Sequence, residues 1–199
     1  MLKVGITGGI GSGKTTVCKI FEVLGAPVYY ADERAKTLMQ TDLKLIASIK
    51  ELFGDEAYAD GKLNRQLIAS KVFSNQPLLA KLNAAVHPAV AKDSELWMSR
   101  LSDFPYALKE AALLFESGWN KQLDHVICVY APVEDRIARL KKRDKTTDEE
   151  IAARMKNQMS DEQKKELSDF VIYNDANHRL IPQVLALHHI LLGLEKKRG

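Results

Sequence analysis

Cysteine is scarce: Cys18 and Cys128 are the only two in a chain of 199 residues. Two isolated cysteines supply neither a disulfide framework nor a Cys-x-x-Cys metal pair. Both are expected as small buried apolar residues of a protein kept in a reducing compartment. Long apolar runs are missing, none approaching the ~20 residues that cross a bilayer. Residues 1–6 lack the basic segment, apolar stretch and cleavage site of a secretory signal. A charge excess is missing too: 29 Lys and Arg against 26 Asp and Glu leave a net charge of +3, too little for a tail-type nucleic-acid binder. No Ser/Gly-rich or Pro-rich linker and no fixed-period repeat interrupts the chain. With 46% hydrophobic residues, the composition excludes disorder. It points to one compact, soluble unit and leaves the oligomeric state open; the expectation is a cytoplasmic protein with neither a membrane nor a nucleic-acid partner.

What is present is an alternation of short apolar runs with longer amphipathic ones. Residues 2–7 are apolar at nearly every position and end in glycines, as a strand buried on both faces requires. Val17, Ile20, Phe21 and Leu24 keep helical spacing over 14–24, and Gly25 suits the stop. Residues 27–30 predict a second strand, ending at Asp32. From 33 to 102 the pattern is mostly helical. Leu43, Ile46, Ile49, Leu52 and Phe53 make one stripe, Asp60-Gly61 marks a turn, and Asn64 is placed to cap a helix over 65–73. Pro88 after His87 predicts that a new helix starts there.

A third strand is predicted from Tyr106 to Phe115, with Lys109-Glu110 interrupting it. Further strands are predicted over 126–130 and 170–173. Helices are expected over 133–143 and 146–158, and a terminal one carries Leu180, Val184, Leu187 and Leu191. Alternating strands and helices pair in parallel with right-handed crossovers, so the fold class is α/β, three layers around a central parallel sheet. The helical stretch after Asp32 is too long for a crossover and is expected as an insertion. The segment from Arg139 to Gln158 is a candidate lid.

Gly8-Gly9-Ile10-Gly11-Ser12-Gly13-Lys14-Thr15 matches G-x-x-x-x-G-K-[ST], the P-loop, with an apolar strand before it and a helix after it. Its glycines let consecutive N–H groups converge on one point, and the helix adds its N-terminal partial positive charge there. Lys14 brings an ammonium to the outer phosphates, and the Thr15 hydroxyl is a ligand for bridging Mg²⁺. The motif implies nucleoside triphosphate binding without choosing between kinase, GTPase and motor.

Other residues carry more than one reading each. Asp32, just after the second strand, lies where ligands bind in such sheets. It is a proton acceptor for an attacking hydroxyl, a holder of Mg²⁺-bound water, or a helix N-cap. From Arg136 to Lys145 six cations face one carboxylate, Asp144. Arg136, Arg139 and Arg143 share a helical face, either a lid closing over phosphates or a solvated or nucleic-acid-binding surface. Glu116, expected at the end of the third strand, is a Mg²⁺-water or substrate contact, or a plain strand-end carboxylate. No histidine has a partner at metal-ligand spacing, and Trp97 and Trp119 are expected in the core. A GTPase would need Asn-Lys-x-Asp. Asn120-Lys121 runs into Gln122-Leu123-Asp124, one residue too long. A nucleic-acid-dependent ATPase has only the basic helix in its favour, and other small-molecule kinases share the core motifs.

The ordered set of motifs resembles the dephospho-CoA kinase family along about the whole chain. It comprises residues 7–16, Ala31-Asp32, Asp60-Gly61-Lys62-Leu63-Asn64-Arg65, His87-Pro88, Leu113-Leu114-Phe115-Glu116, Arg143-Asp144, and Asp169-Phe170-Val171-Ile172 with Asn174. Tyr30, Asn64, Ala112 and Ala176 depart from the family pattern, which has Asp, Asp, Pro and Gly there. The resemblance implies a P-loop NTPase fold and ATP-dependent phosphorylation of the ribose 3′-hydroxyl of dephospho-CoA, with Mg²⁺. Gly11, Ser12, Gly13, Lys14, Thr15 and Thr16 would cradle ATP, with Asn174 near its adenine. Asp32 would be the base, Arg139 and Arg143 the lid arginines, and Arg65, His87 and Glu116 acceptor contacts. The expected layout is one domain over 1–199. Its core is 1–31, 104–135 and 168–199, its helical acceptor-binding region 32–103 and its lid 136–165.

Overall fold

The computed structural model describes residues 1–73, 75–144 and 147–197. In chain order the elements are β1 (Leu2–Thr7), α1 (Lys14–Val23), β2 (Val28–Tyr30), α2 (Ala31–Thr41), α3 (Leu43–Phe53), β3 (Tyr58–Ala59), β4 (Lys62–Leu63), α4 (Arg65–Phe73), α5 (Gln76–Met98), β5 (Tyr106–Glu110), β6 (His125–Tyr130), α6 (Val133–Asp144), α7 (Asp148–Lys156), α8 (Asp161–Glu166), β7 (Phe170–Tyr173) and α9 (Leu180–Lys196). Two compact units result, Met1–Tyr30 with Met98–Gly199, and Ala31–Trp97.

The first unit is built on a parallel sheet in the order β2-β5-β1-β6-β7. β1 is central, pairing Ile6 with Glu110 of β5 and with Ile127 of β6. Leu2, Val4 and Ile6 pack with Val17, Cys18 and Phe21 of α1 and with Val184, Leu187 and Leu191 of α9. Cys18 and Cys128 are both buried and free, as their scarcity implied. Where β7 leaves an open sheet edge, the Gln183 amide pairs with the backbone of Tyr173 in both directions, at 2.9 Å each. That satisfies groups an edge strand otherwise exposes.

Tyr106, 1% exposed, shares a 2.5 Å hydrogen bond with Nδ1 of His188. Burial, and secondarily the neighbouring His189, lower the His188 pKa; burial alone lowers that of His87. A depressed folded-state value means that the unfolded chain takes up protons first as pH falls. Stability is therefore lost on acidification through the ordinary histidine value of about 6.5. Denaturation midpoints should be lower at pH 5.5 than at pH 7.5, and His188→Asn should shrink that difference.

The second unit is helical with one short hairpin. Asp42 caps α3, accepting from Lys44 N at 2.9 Å and Leu45 N at 3.1 Å. The buried stripe of α3 is Leu45, Ile49 and Phe53, whereas Leu43 is 81% exposed. The expected stripe is thus corrected by one step around the helix, because the first-turn residue faces outward at the cap. Asp60 (φ 51°) and Gly61 (φ 73°) form the turn between β3 and β4. Asn64 Oδ1 accepts from Leu67 N at 3.1 Å, so asparagine caps α4 as expected.

α5 runs through Pro88, correcting the expected helix start. Leu82, Val86, Val90 and Ser94 form a buried i, i+4 series. Ala84, whose carbonyl loses its donor to the proline ring, is exposed together with Pro88. The lost hydrogen bond therefore lies on the solvent-facing side, while the opposite, buried face holds the helix. Arg34 makes a two-pronged bond to Asp93, at 2.9 and 2.7 Å, joining α2 to α5.

Candidate active site

The turn between β1 and α1 has the backbone that its glycines permit. Gly8 (φ 145°) and Gly13 (φ 97°) lie in the region that favours glycine. A Cβ at Gly8 would stand 2.2 Å from the Val129 carbonyl oxygen, and one at Gly13 2.1 Å from Asn174 Nδ2. The chain therefore passes close under its neighbours, and α1 starts directly from it, with the Thr16 and Val17 N–H groups on the Gly13 carbonyl at 3.0 and 3.2 Å and the positive end of its dipole toward the turn. Ser12 Oγ is buried inside this turn with no hydrogen-bond partner. Lys14 is 8% exposed, and its ammonium bonds the Gly8 and Gly9 carbonyls at 3.0 and 3.2 Å. A cation, an orphaned hydroxyl and a helix N-terminus around one glycine turn fit phosphate groups.

Long-range contacts hold that turn. Asn174 Nδ2 donates to the Ser12 carbonyl at 2.7 Å. Arg139 reaches the Gly11 and Ser12 carbonyls at 3.5 and 3.4 Å and the Asn174 carbonyl at 2.8 Å. Arg136, 2% exposed, donates through Nε to the Ile10 carbonyl at 2.9 Å and pairs with Asp161. Burial lowers the Arg136 pKa. The Asp161 carboxylate offsets that cost. The structure thus unites Gly11 to Thr16, Arg139 and Asn174, and adds Arg136 as a buried strut. Arg143 is exposed, one helical turn beyond Arg139. Lys145 of the basic run, and Thr146 expected to open the next helix, lie outside the described residues. α7 starts at Asp148 behind a Thr147–Glu150 capping box, and α8 was not expected.

Three strand-end expectations are corrected. β2 ends at Tyr30 and α2 starts at Ala31, so Asp32 is an exposed first-turn carboxylate of α2 and not its N-cap. β5 ends at Glu110: the Ala111 N–H gives the last rung of the ladder to the Ile6 carbonyl at 3.0 Å, and the chain then coils away. Glu116 therefore lies in a turn and not at a strand end. Its Oε1 accepts from Met159 N at 2.7 Å and from the Lys164 ammonium at 3.0 Å.

Glu110 is the residue that sequence reasoning missed. It is 6% exposed and closes β5 in register with Ile6 and Tyr30. Reading Lys109-Glu110 as an interruption hid it. Both stay in the strand, with Lys109 under the Trp119 ring at 4.2 Å, a cation–π contact that helps offset its desolvation. An acidic residue closing an apolar run was the available signal.

Arg65 and His87 belong to the helical unit, Arg65 exposed at the start of α4 and His87 half-buried in α5. In the first unit, a cavity of about 750 Å³ lined by Thr16, Ile20, Arg179, Leu180, Ile181 and Pro182 opens beside α1. No helix among the described residues is long and apolar enough to cross a membrane.

The geometry is that of a P-loop kinase, and comparison with known proteins agrees. A family model described as dephospho-CoA kinase (CoaE) matches residues 2–179. The dephospho-CoA kinase of Bacteroides fragilis strain YCH46 is 41% identical over 186 residues, covering 94% of this chain and 91% of that protein. Among solved structures, TT1252 from Thermus thermophilus superposes with a TM-score of 0.82 at 35% identity, covering 97% of each chain. The dephospho-CoA kinase from Campylobacter jejuni gives a TM-score of 0.69 at 25% identity, covering 99% and 98%. With its P-loop, parallel sheet and whole-length match, the chain belongs to the dephospho-CoA kinase family.

Proposed function

We propose that this chain transfers the γ-phosphoryl group of ATP to the ribose 3′-hydroxyl of dephospho-CoA, giving coenzyme A and ADP. The observation that carries this reading is the P-loop with its buried lysine and arginine struts, in a chain of this family. The N–H groups at the start of α1, with Ser12, would bind the phosphates, and Lys14 would leave the Gly8 and Gly9 carbonyls to meet the outer ones. Positioning and charge stabilisation supply most of the catalysis in such transfers.

Asp32 would orient the 3′-hydroxyl and take its proton as the new P–O bond forms. The apolar cavity beside Thr16 would receive the nucleobase, with Ile20, Leu180 and Pro182 against the ring and Asn174 holding the turn beneath it. Arg65 and His87 would contact the acceptor. Arg143 would join Arg139 over the phosphates, excluding water.

Among the described residues no cluster of three or more His, Cys, Asp or Glu forms a metal cage. Mg²⁺ is usually held by one or two protein oxygens together with substrate phosphates. The Thr15 hydroxyl and the Glu110 carboxylate would hold it, directly or through water. When bound, it supplies neutralisation of charge on the transferring group.

The test is ADP release from Mg-ATP with and without dephospho-CoA, with the product weighed. Acceptor-dependent release of a product heavier by one phosphoryl group supports the reading. ATP binding without stimulation by dephospho-CoA would reject that acceptor.

Arg139→Lys provides a second test. A lysine reaches one of the three carbonyls that the guanidinium spans, so the turn loosens. The KM for ATP should rise about tenfold, with a smaller change in kcat. An unchanged KM would remove Arg139 from nucleotide binding.

A further inference from the structure

Lys164 of α8 is wholly buried, at 0% exposure. Its ammonium bonds the Ala112 carbonyl at 2.6 Å and the Glu116 carboxylate at 3.0 Å. Burying an ammonium is costly unless it is paired, and a buried pair is weak evidence for stability as such. The neighbours of this one point to a different use. The Ala112 carbonyl also accepts from Thr7 Oγ1, at 3.5 Å, and Thr7 is the last residue of β1 before the P-loop. Glu116 Oε1 accepts from Met159 N at 2.7 Å. One residue earlier, Gln158 Oε1 accepts from Ile10 N at 3.1 Å, and Asp161 pairs with Arg136, which holds the Ile10 carbonyl. Residues 158–164 therefore grip the P-loop at Ile10 and the turn after β5 at Ala112 and Glu116. Lys164 meets the Ala112 carbonyl just beyond β5, and Lys14 meets the Gly8 and Gly9 carbonyls just beyond β1. The two ammonium groups therefore lie at the same end of the sheet.

We infer that Lys164 is a positioning residue for phosphoryl transfer. Paired with Glu116, it fixes the 158–164 segment so that Gln158 and the Arg136–Asp161 pair hold the first half of the P-loop in its phosphate-binding shape. The inference rests on the P-loop acting as the phosphate cradle. It assigns Glu116 to the lid and not to substrate. When the clasp loosens, water enters and attacks the γ-phosphorus. The bond to the bridging oxygen of ADP breaks, ADP and inorganic phosphate leave, and the proton passes to solvent.

The experiment compares the unaltered chain with Lys164→Met, Glu116→Gln and the double variant by two readouts. Amide hydrogen exchange needs no substrate. In Lys164→Met, Met159 N–H and also Ile10 N–H, which Lys164 does not touch, should exchange about tenfold faster. The share of ATP hydrolysed rather than transferred to the acceptor should rise about fivefold, because water exclusion is what the clasp preserves. The double variant should do no worse than Lys164→Met, as expected of two groups acting as one unit. A purely structural lysine would lower the melting temperature and total activity without moving Ile10 exchange or the hydrolysed share, and that result would overturn the inference. Should Lys164→Met not fold, Glu116→Gln decides alone, and unchanged Ile10 exchange in it is equally fatal. Failure of the unaltered chain to phosphorylate dephospho-CoA would overturn the acceptor assignment instead, leaving Ile10 exchange to decide the role of Lys164.

Discussion

Lys14→Ala will yield a folded chain whose turnover is about a thousandfold slower, the scale of removing a group aimed at charge that develops in the transition state. The ammonium is almost fully buried and directed onto the Gly8 and Gly9 carbonyls, held ready within the turn that would bind phosphates. Alanine removes that charge and leaves the two carbonyls without it, so a modest stability loss accompanies the kinetic one. Circular dichroism and a thermal melt separate the two effects, and Lys14→Met, which keeps more of the side-chain volume, should behave alike in kcat. A folded Lys14→Ala variant with near-normal turnover would break the assignment of residues 8–15 as the phosphate cradle.

The next largest effect is expected at Asp32. Asp32→Asn keeps the side-chain volume and one oxygen but cannot take a proton. A general base contributes about a hundredfold to ten-thousandfold, so kcat should fall within that range while ATP affinity, read by calorimetry, stays within about twofold. Because Asp32 lies inside the first turn of α2 and does not cap it, the substitution removes no capping bond and the fold should be retained. Collapse of ATP affinity would instead make Asp32 a ligand of metal or nucleotide.

Local features were legible because they depend on neighbours in sequence. The buried run of β1, the glycine turn into α1, the turn at Asp60-Gly61 and the cap at Asn64 each follow from backbone stereochemistry or from a side chain reaching three residues along. The P-loop belongs to this group, since eight consecutive residues specify its shape and its charge. Periodicity misled where several faces of a helix were apolar, as with Leu43, and where a local rule met a tertiary override, as with Pro88. There the buried series from Leu82 to Ser94 outweighs one lost hydrogen bond.

The sequence by itself determined that this protein has an α/β core with a P-loop turn between its first strand and first helix, and that Lys14 and Thr15 stand where that turn meets the helix. Only the tertiary structure decided what surrounds them. Arg136 and Arg139 could have faced solvent, since helical spacing puts them on one face without saying what that face meets. They hold P-loop carbonyls because the β6–α6 connection places that face beside a turn more than 120 residues earlier in the chain. Glu110 reads as an interruption until pairing sets it beside Ile6. Glu116 and Lys164 are 48 residues apart and have no pattern in common; the packing of α8 on β6 makes them partners. A buried charge needs a specific counterpart, and which counterpart it meets is set by the path of the whole chain.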